Sequence, residues 1–142
     1  MIETISSGAT TLGIIVRAQF TTDGIEFLTP REFSQQLAYM KRPTGYVIQP
    51  HVHNPVRREL YFTKEVLFIR SGKVRVDFYS DAQDYLESRL LGAGDVVLLA
   101  HGGHGFQIIE EAEIIEVKQG PYVGEQDKTR FQPVEASRLT MR

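Results

Sequence analysis

The chain contains no cysteine. This absence excludes disulfide bonds, thiolate nucleophiles and metal sites built on sulfur ligands. A metal ion in this protein would have to be bound by His, Asp or Glu side chains.

An excess of charge of one sign is also missing. Lys and Arg number 16 against 18 Asp and Glu, the formal net charge is -2, and the basic residues are scattered along the chain. Nucleic-acid-binding domains concentrate positive charge on one face, so we expect no nucleic-acid partner. No apolar run approaches the roughly 20 residues that cross a bilayer. The segment Met1–Ile5 lacks the basic and apolar parts of a secretory leader, so we expect a cytoplasmic protein without a membrane partner.

The composition is otherwise that of an ordinary globular protein. The chain has 142 residues, of which 42% are hydrophobic and 24% charged. This length suits one hydrophobic core better than two. We therefore expect a single domain over residues 1–142, with the polar stretch 121–142 as a C-terminal extension.

The apolar residues mostly recur with a period of two, in short runs separated by Gly, Pro, Asp and Ser. This pattern predicts many short strands and an all-β fold. About ten such strands joined by tight turns suit a sandwich or a small barrel. The predicted strands are Leu12–Phe20, Ile25–Leu28, Gln36–Arg42, Tyr46–His53, Glu65–Arg70, Lys73–Tyr79, Tyr85–Leu91, Asp95–Leu99, Gly105–Ile109 and Glu113–Lys118.

One segment also fits a short helix, which would be the only one. Thr29 is a suitable N-cap, Pro30 suits the first helical position, and Glu32 completes a capping pattern. We prefer a strand for the later part of this segment, because Lys41–Gly45 resembles a hairpin turn.

All four histidines lie in two short clusters, His51 with His53 and His101 with His104. His51 and His53 are two apart on a predicted strand, so their side chains leave the same face, which Gln49 shares. Two imidazoles on one face can bind the same cation.

Glu65 opens an apolar run in which Leu67 and Ile69 share its face. We expect all three side chains to point inward. A buried carboxylate is costly unless a positive charge compensates it, and a bound metal ion would do so.

These residues resemble the first motif of the cupin family. That motif is a glycine, five residues, His-X-His, a glutamate, six residues and a glycine. Here Gly45 is followed by five residues, His51-Val52-His53, then Glu65, six residues and Gly72. The stretch between His53 and Glu65 is 11 residues long, where the family has three or four.

The second cupin motif is approached from Gly94 to His104. Ala100 stands where the family has proline, the turn is one residue short, and Ile108 replaces an asparagine. The long stretch between His53 and Glu65 leaves Glu59 as an alternative to Glu65. The altered second motif leaves His101 as an alternative to His104. We prefer Glu65, because six residues separate it from Gly72, as in the family motif. We prefer His104, because it follows the turn at Gly102 and Gly103.

The resemblance covers about residues 36–120 and implies a double-stranded β-helix, the cupin or jelly-roll barrel. It also implies one divalent metal ion bound by three imidazoles and one carboxylate, namely His51, His53, Glu65 and His104. Such ligands suit Fe, Mn, Zn, Ni or Co without choosing sharply among them. Gln49, Phe106 and His101 are further candidates for lining the pocket.

The resemblance to small single-domain bacterial cupins suggests a metal-dependent enzyme acting on a small polar, carbohydrate-related molecule. An isomerase or epimerase in which the metal is a Lewis acid is the leading hypothesis. A metal-dependent dioxygenase is one alternative, and a protein that binds a small ligand without catalysis is another. A homodimer is expected as well, because Val66 and Phe68 would form an outward apolar pair.

Overall fold

The computed structural model describes residues 1–142 and is all-β, as the apolar pattern predicts. Its helical content is limited to two short 3₁₀ helices, Gly124–Asp127 and Ala136–Arg138. No helix is long and apolar enough to cross a membrane. The strands are β1 (Ile2–Ser7), β2 (Thr10–Val16), β3 (Gly24–Phe27), β4 (Ala38–Lys41), β5 (Glu65–Tyr79), β6 (Tyr85–Gly92), β7 (Val96–Leu99) and β8 (Gly103–Lys118).

The chain divides into two compact units. Unit 1 comprises residues 1–20 and 62–142, and unit 2 comprises residues 21–61. The organisation as a single domain stays a prediction.

Unit 1 is a six-stranded antiparallel sheet that curls into a half-barrel. The long strand β5 is central: β8 pairs along one edge, while β7 and β6 share the other. β7 covers the first part of β5, from Glu65 to Phe68, and β6 covers the last part, from Lys73 to Tyr79. β2 and β1 extend the sheet beyond β7.

The bend in β5 lies at Gly72, where the pairing with β8 shifts register. Gly72 has φ +78, a left-handed conformation that side chains with a Cβ rarely adopt. A Cβ there would lie 2.0 Å from the carbonyl oxygen of Glu111. The bulge therefore needs glycine, and bulges are a normal means of bending a strand. The predicted break between the strands 65–70 and 73–79 is this bulge.

The hydrophobic core covers one face of the curled sheet, called here the inner face. Burying side chains of this kind contributes about 1.5–3 kcal/mol each. The core cluster consists of Ile5, Leu12, Ile15, Leu67, Ile69, Val74, Val76, Phe78, Leu91, Val97 and Leu99.

Several strand predictions need correction. Tyr46–His53 forms no strand, because no other segment of the protein pairs with its backbone. The apolar pattern does not predict β1, because its two apolar residues, Ile2 and Ile5, are three apart and show no period of two. The segments 105–109 and 113–118 belong to one strand, β8. Of the expected outward pair, Phe68 is 41% exposed, but Val66 is buried.

Unit 2 contains the hairpin of β3 and β4. The loop before β4 is not helical. Hydrogen bonds of the Gln36 side chain stabilise a non-helical conformation instead. The Gln36 amide nitrogen donates to the carbonyl oxygens of Pro30 and Phe33, and the Thr29 hydroxyl donates to the Gln36 amide oxygen. The turn predicted after β4 is present, with the Tyr46 amide donating to the carbonyl of Pro43 at 3.2 Å.

The C-terminal extension is part of unit 1 and packs against its sheet. Phe131 contacts the ring of Tyr79 at 5.0 Å between centroids, and the Val134 amide donates to the Tyr79 hydroxyl. Farther on, the Thr140 amide donates to the hydroxyl of Tyr85, and the Ser88 amide donates to the carbonyl of Thr140. These bonds hold the end of the chain against β6.

Candidate functional site

The first part of the candidate site is the pair of Glu65 and His104 in unit 1. The Nε2 atom of His104 lies 3.2 Å from Oε2 of Glu65. Glu65 begins β5 and pairs with Leu99, the last residue of β7. The turn after Leu99 leads into β8, whose second residue is His104. The short connection from β7 to β8 thus positions the imidazole beside the carboxylate.

Both side chains lie on the inner face. Glu65 alternates with Leu67 and Ile69, which belong to the core, and only 7% of its surface is exposed. His104 is the cross-strand partner of the core residue Phe78, and paired residues share a face. The expected inward orientation of Glu65, Leu67 and Ile69 is what the structure shows.

The surroundings of Glu65 favour its ionised form. The hydrogen bond with His104 holds the pKa of the Glu65 carboxyl below its usual range. Burial raises this pKa, but the positive charges of His104, Lys118 and Lys128 lower it further. An ionised carboxylate is the form that binds a metal ion.

An open apolar surface adjoins this pair. Phe106 and Ile108 follow His104 on the inner face of β8, where they pair with Val76 and Val74. Phe106 and Ile108 are 41% and 52% exposed, and the ring centroids of Phe106 and His104 lie 5.5 Å apart. The predicted pocket residue Phe106 is therefore next to a predicted ligand.

His101 lies in the turn between β7 and β8. Its ring contacts Phe62 edge to face, with 5.8 Å between ring centroids. Its backbone amide lies 3.3 Å from the carbonyl oxygen of Leu12. These contacts hold His101 in the turn by packing and backbone bonding, while His104 has the carboxylate contact.

The second part of the candidate site lies in unit 2. His51 and His53 are exposed, with ring centroids 5.3 Å apart in a T-shaped arrangement. Nδ1 of His51 lies 3.0 Å from the carbonyl oxygen of Gln49. A carbonyl only accepts hydrogen bonds, so Nδ1 carries the proton and the lone pair of Nε2 is available to a metal ion. Gln49 contributes its backbone here, and its side chain is exposed.

The contact between Glu65 and His104 in unit 1 has a separation that suits two ligands of one metal ion. Two ligand atoms that bind one ion at a right angle, each about 2.1 Å from it, are about 3 Å apart. This is close to the 3.2 Å between Oε2 of Glu65 and Nε2 of His104. Neither unit alone contains a group of three His, Asp or Glu side chains that could bind a metal. The set of His51, His53, Glu65 and His104 combines residues of both units and stays a prediction.

Sequence reasoning missed two cationic neighbours of Glu65. Lys118 is its cross-strand partner on β8, and Lys128 lies in the C-terminal extension. The sequence predicts a strand that ends at Lys118. It does not predict that Lys118 pairs with Glu65, because this depends on the register of β8 against β5.

The curled sheet and the pair on its inner face are compatible with a β-barrel fold. Comparison with protein-family models, curated proteins and solved structures gives no match to the chain.

Proposed function

We propose that the protein is a small metal-binding cupin that acts on a polar small molecule. One divalent ion would be bound by His51, His53, Glu65 and His104. The observation that carries this proposal is the contact between a buried carboxylate and an imidazole on the inner face, 3.2 Å apart. A structural role explains such a pair less well, because the adjacent inner surface is open.

The contacts support Glu65 as the carboxylate ligand. Glu65 is buried beside His104, whereas the side chain of Glu59 is 71% exposed and lies 3.9 Å from Arg57. A carboxylate with an arginine beside it and water around it needs no metal ion. A buried carboxylate beside an imidazole gains more from one.

The contacts also support His104 as the third imidazole. His104 is beside Glu65, while His101 packs on Phe62. Two side chains bound to one ion have to approach each other closely, as His104 and Glu65 do.

The proposed reaction is the isomerisation or epimerisation of a carbohydrate-related compound. A divalent ion would supply Lewis acidity toward an oxygen of the substrate. The chain's own contribution would be to place the Glu65 carboxylate beside His104, and to exclude water with Phe106 and Ile108. A dioxygenase and a non-catalytic binding protein are the alternatives, and assays of substrate turnover under air and without oxygen separate them.

We further propose a homodimer formed by the outer face of β5 and β8. Phe68 pairs with Ile115 across the two strands, and Val117 follows on the same face. The three side chains are 41–50% exposed. Arg70 and Glu113 lie on the same face at one end of this apolar stripe. An exposed apolar stripe of this kind is a candidate surface for the association of two copies.

The proposed metal site is tested by elemental analysis of purified protein after anaerobic loading with Fe(II), Mn(II), Ni(II) or Zn(II). One equivalent of bound metal supports it. The absence of uptake with all four ions would refute it.

A further inference from the structure

A small cavity lies in unit 1 where the end of β8 meets the C-terminal extension. Its volume is about 40 Å³. A site of about 10–15 Å³ on this measure admits one water molecule, so the cavity has room for a group of about three heavy atoms. The residues that line it include Thr63, Lys118, Tyr122, Glu125, Asp127 and Lys128.

The acidic residues of the lining already have partners. Glu125 forms an ion pair with Arg130. Asp127 accepts a hydrogen bond of 2.6 Å from the hydroxyl of Thr63. Neither carboxylate needs a cation from the cavity.

The two lysines of the lining have no carboxylate at hydrogen-bond distance. The ammonium of Lys118 lies 3.8 Å from Glu116, which is beyond hydrogen-bond distance. Lys128 forms no ion pair within 4.0 Å, and its side chain is exposed. An ammonium group has three donors, so both lysines retain donor capacity for an anion in the cavity, while their charges also act on Glu65.

The cavity also adjoins the candidate metal site. Lys118 is the cross-strand partner of Glu65, so both side chains leave the same face from backbones about 5 Å apart. An anionic group bound by Lys118 would therefore lie beside the pair of Glu65 and His104.

We propose that this cavity binds the anionic oxygen group of the substrate, a carboxylate or a phosphate, through Lys118 and Lys128. The assignment of that anion to the substrate rests on the proposed function, whereas the binding of the anion does not. The substrate would then be an acid or a phosphate ester with a polar group that reaches the metal site.

Anion binding is tested by titrating the protein with acetate and with inorganic phosphate at constant ionic strength. The signal is the NMR shift of the backbone amides of Lys118, Gly124 and Lys128. We expect saturable shifts, with the tighter probe identifying the kind of anion. Lys118→Gln and Lys128→Gln should each weaken binding roughly tenfold, the value of one charge-assisted hydrogen bond.

Lys73→Gln is the matched control, because Lys73 also lies in this sheet but pairs with Glu110 at 2.6 Å. It should bind the anions like the wild type. Lys118→Arg keeps the charge and should retain binding, which separates loss of charge from loss of fold. Shifts that do not saturate, or affinities unchanged in both glutamine variants, would overturn the inference.

Metal content of the same samples separates the two proposals. Saturable anion binding by protein that takes up no metal would support the anion site and refute the metal site. Metal uptake without anion binding would overturn the inference alone.

Discussion

Glu65 and His104 are far apart in the sequence, yet Oε2 of the first lies 3.2 Å from Nε2 of the second. The contact exists because β7 pairs with the start of β5 and then turns directly into β8. The fold thus creates a buried carboxylate–imidazole pair beside an open apolar surface. In most proteins such a pair either stabilises the fold or binds a ligand, and the two roles predict different results on substitution.

Glu65→Gln should weaken metal binding by at least about tenfold if Glu65 is a ligand, because the amide has no negative charge to offer the ion. Glu59→Gln is the control, since this exposed side chain should leave the affinity unchanged. Titration with Zn(II) against a competing chelator measures both. Equal affinities for Glu65→Gln and the wild type, with a loss in Glu59→Gln, would show that the other carboxylate is the ligand.

Gly72→Ala should destabilise the protein by about 2 kcal/mol or more, because φ +78 is strained for alanine and the new Cβ would meet the Glu111 carbonyl. Gly92→Ala is the matched control, because Gly92 has no positive φ and open space around its Cα. Urea unfolding followed by circular dichroism gives both free energies of unfolding. Equal stability of the two variants would contradict the account of the β5 bulge.

The bulge at Gly72 illustrates what the sequence does and does not predict. Alternation of Glu65, Leu67 and Ile69 was sufficient to predict an inward carboxylate, because a strand buried on one face fixes the direction of each side chain. The glycine that marks the bulge was read as a break between two strands, because a local pattern does not show whether pairing resumes in the same strand.

Pairing between distant segments explains the remaining errors. The alternating pattern of Tyr46–His53 predicts a strand. A strand also requires a neighbouring strand to pair with, and the pattern does not identify one. The proximity of Lys118 and Lys128 to Glu65 could not be predicted for a related reason: it depends on the register of β8 and on the path of the C-terminal extension.

Asp77→Ala should destabilise the protein by about 2–3 kcal/mol. Asp77 is buried, accepts two hydrogen bonds from Arg75 at 2.8 and 3.0 Å, and accepts a third from the Ser88 hydroxyl at 2.5 Å. Its removal leaves the Arg75 guanidinium without this acceptor in a mostly buried place, while the Ser88 hydroxyl keeps its contact with the Tyr85 hydroxyl.

Glu110→Ala provides the comparison for Asp77→Ala, because it breaks the exposed ion pair with Lys73. Exposed pairs contribute about 0–1 kcal/mol, so this variant should be close to the wild type. Thermal unfolding of both variants under the same buffer conditions measures the difference. A loss in Asp77→Ala no larger than that in Glu110→Ala would contradict a structural role for the buried network.

Phe68→Asp should convert the proposed homodimer into a monomer, because it places a charge in the centre of the apolar stripe with Ile115 and Val117. Phe27→Asp is the control, since Phe27 is 61% exposed in unit 2 and lies outside the stripe. Sedimentation equilibrium gives the mass of each. A wild-type protein that is monomeric at all concentrations tested would rule out the dimer.

The most direct test of the metal site is the metal content of wild type, His104→Ala and His101→Ala after identical anaerobic loading and removal of free ions. We expect about one equivalent in the wild type and in His101→Ala, and a strong loss in His104→Ala, because His104 contacts Glu65. A wild type without metal, or a loss confined to His101→Ala, would contradict the account.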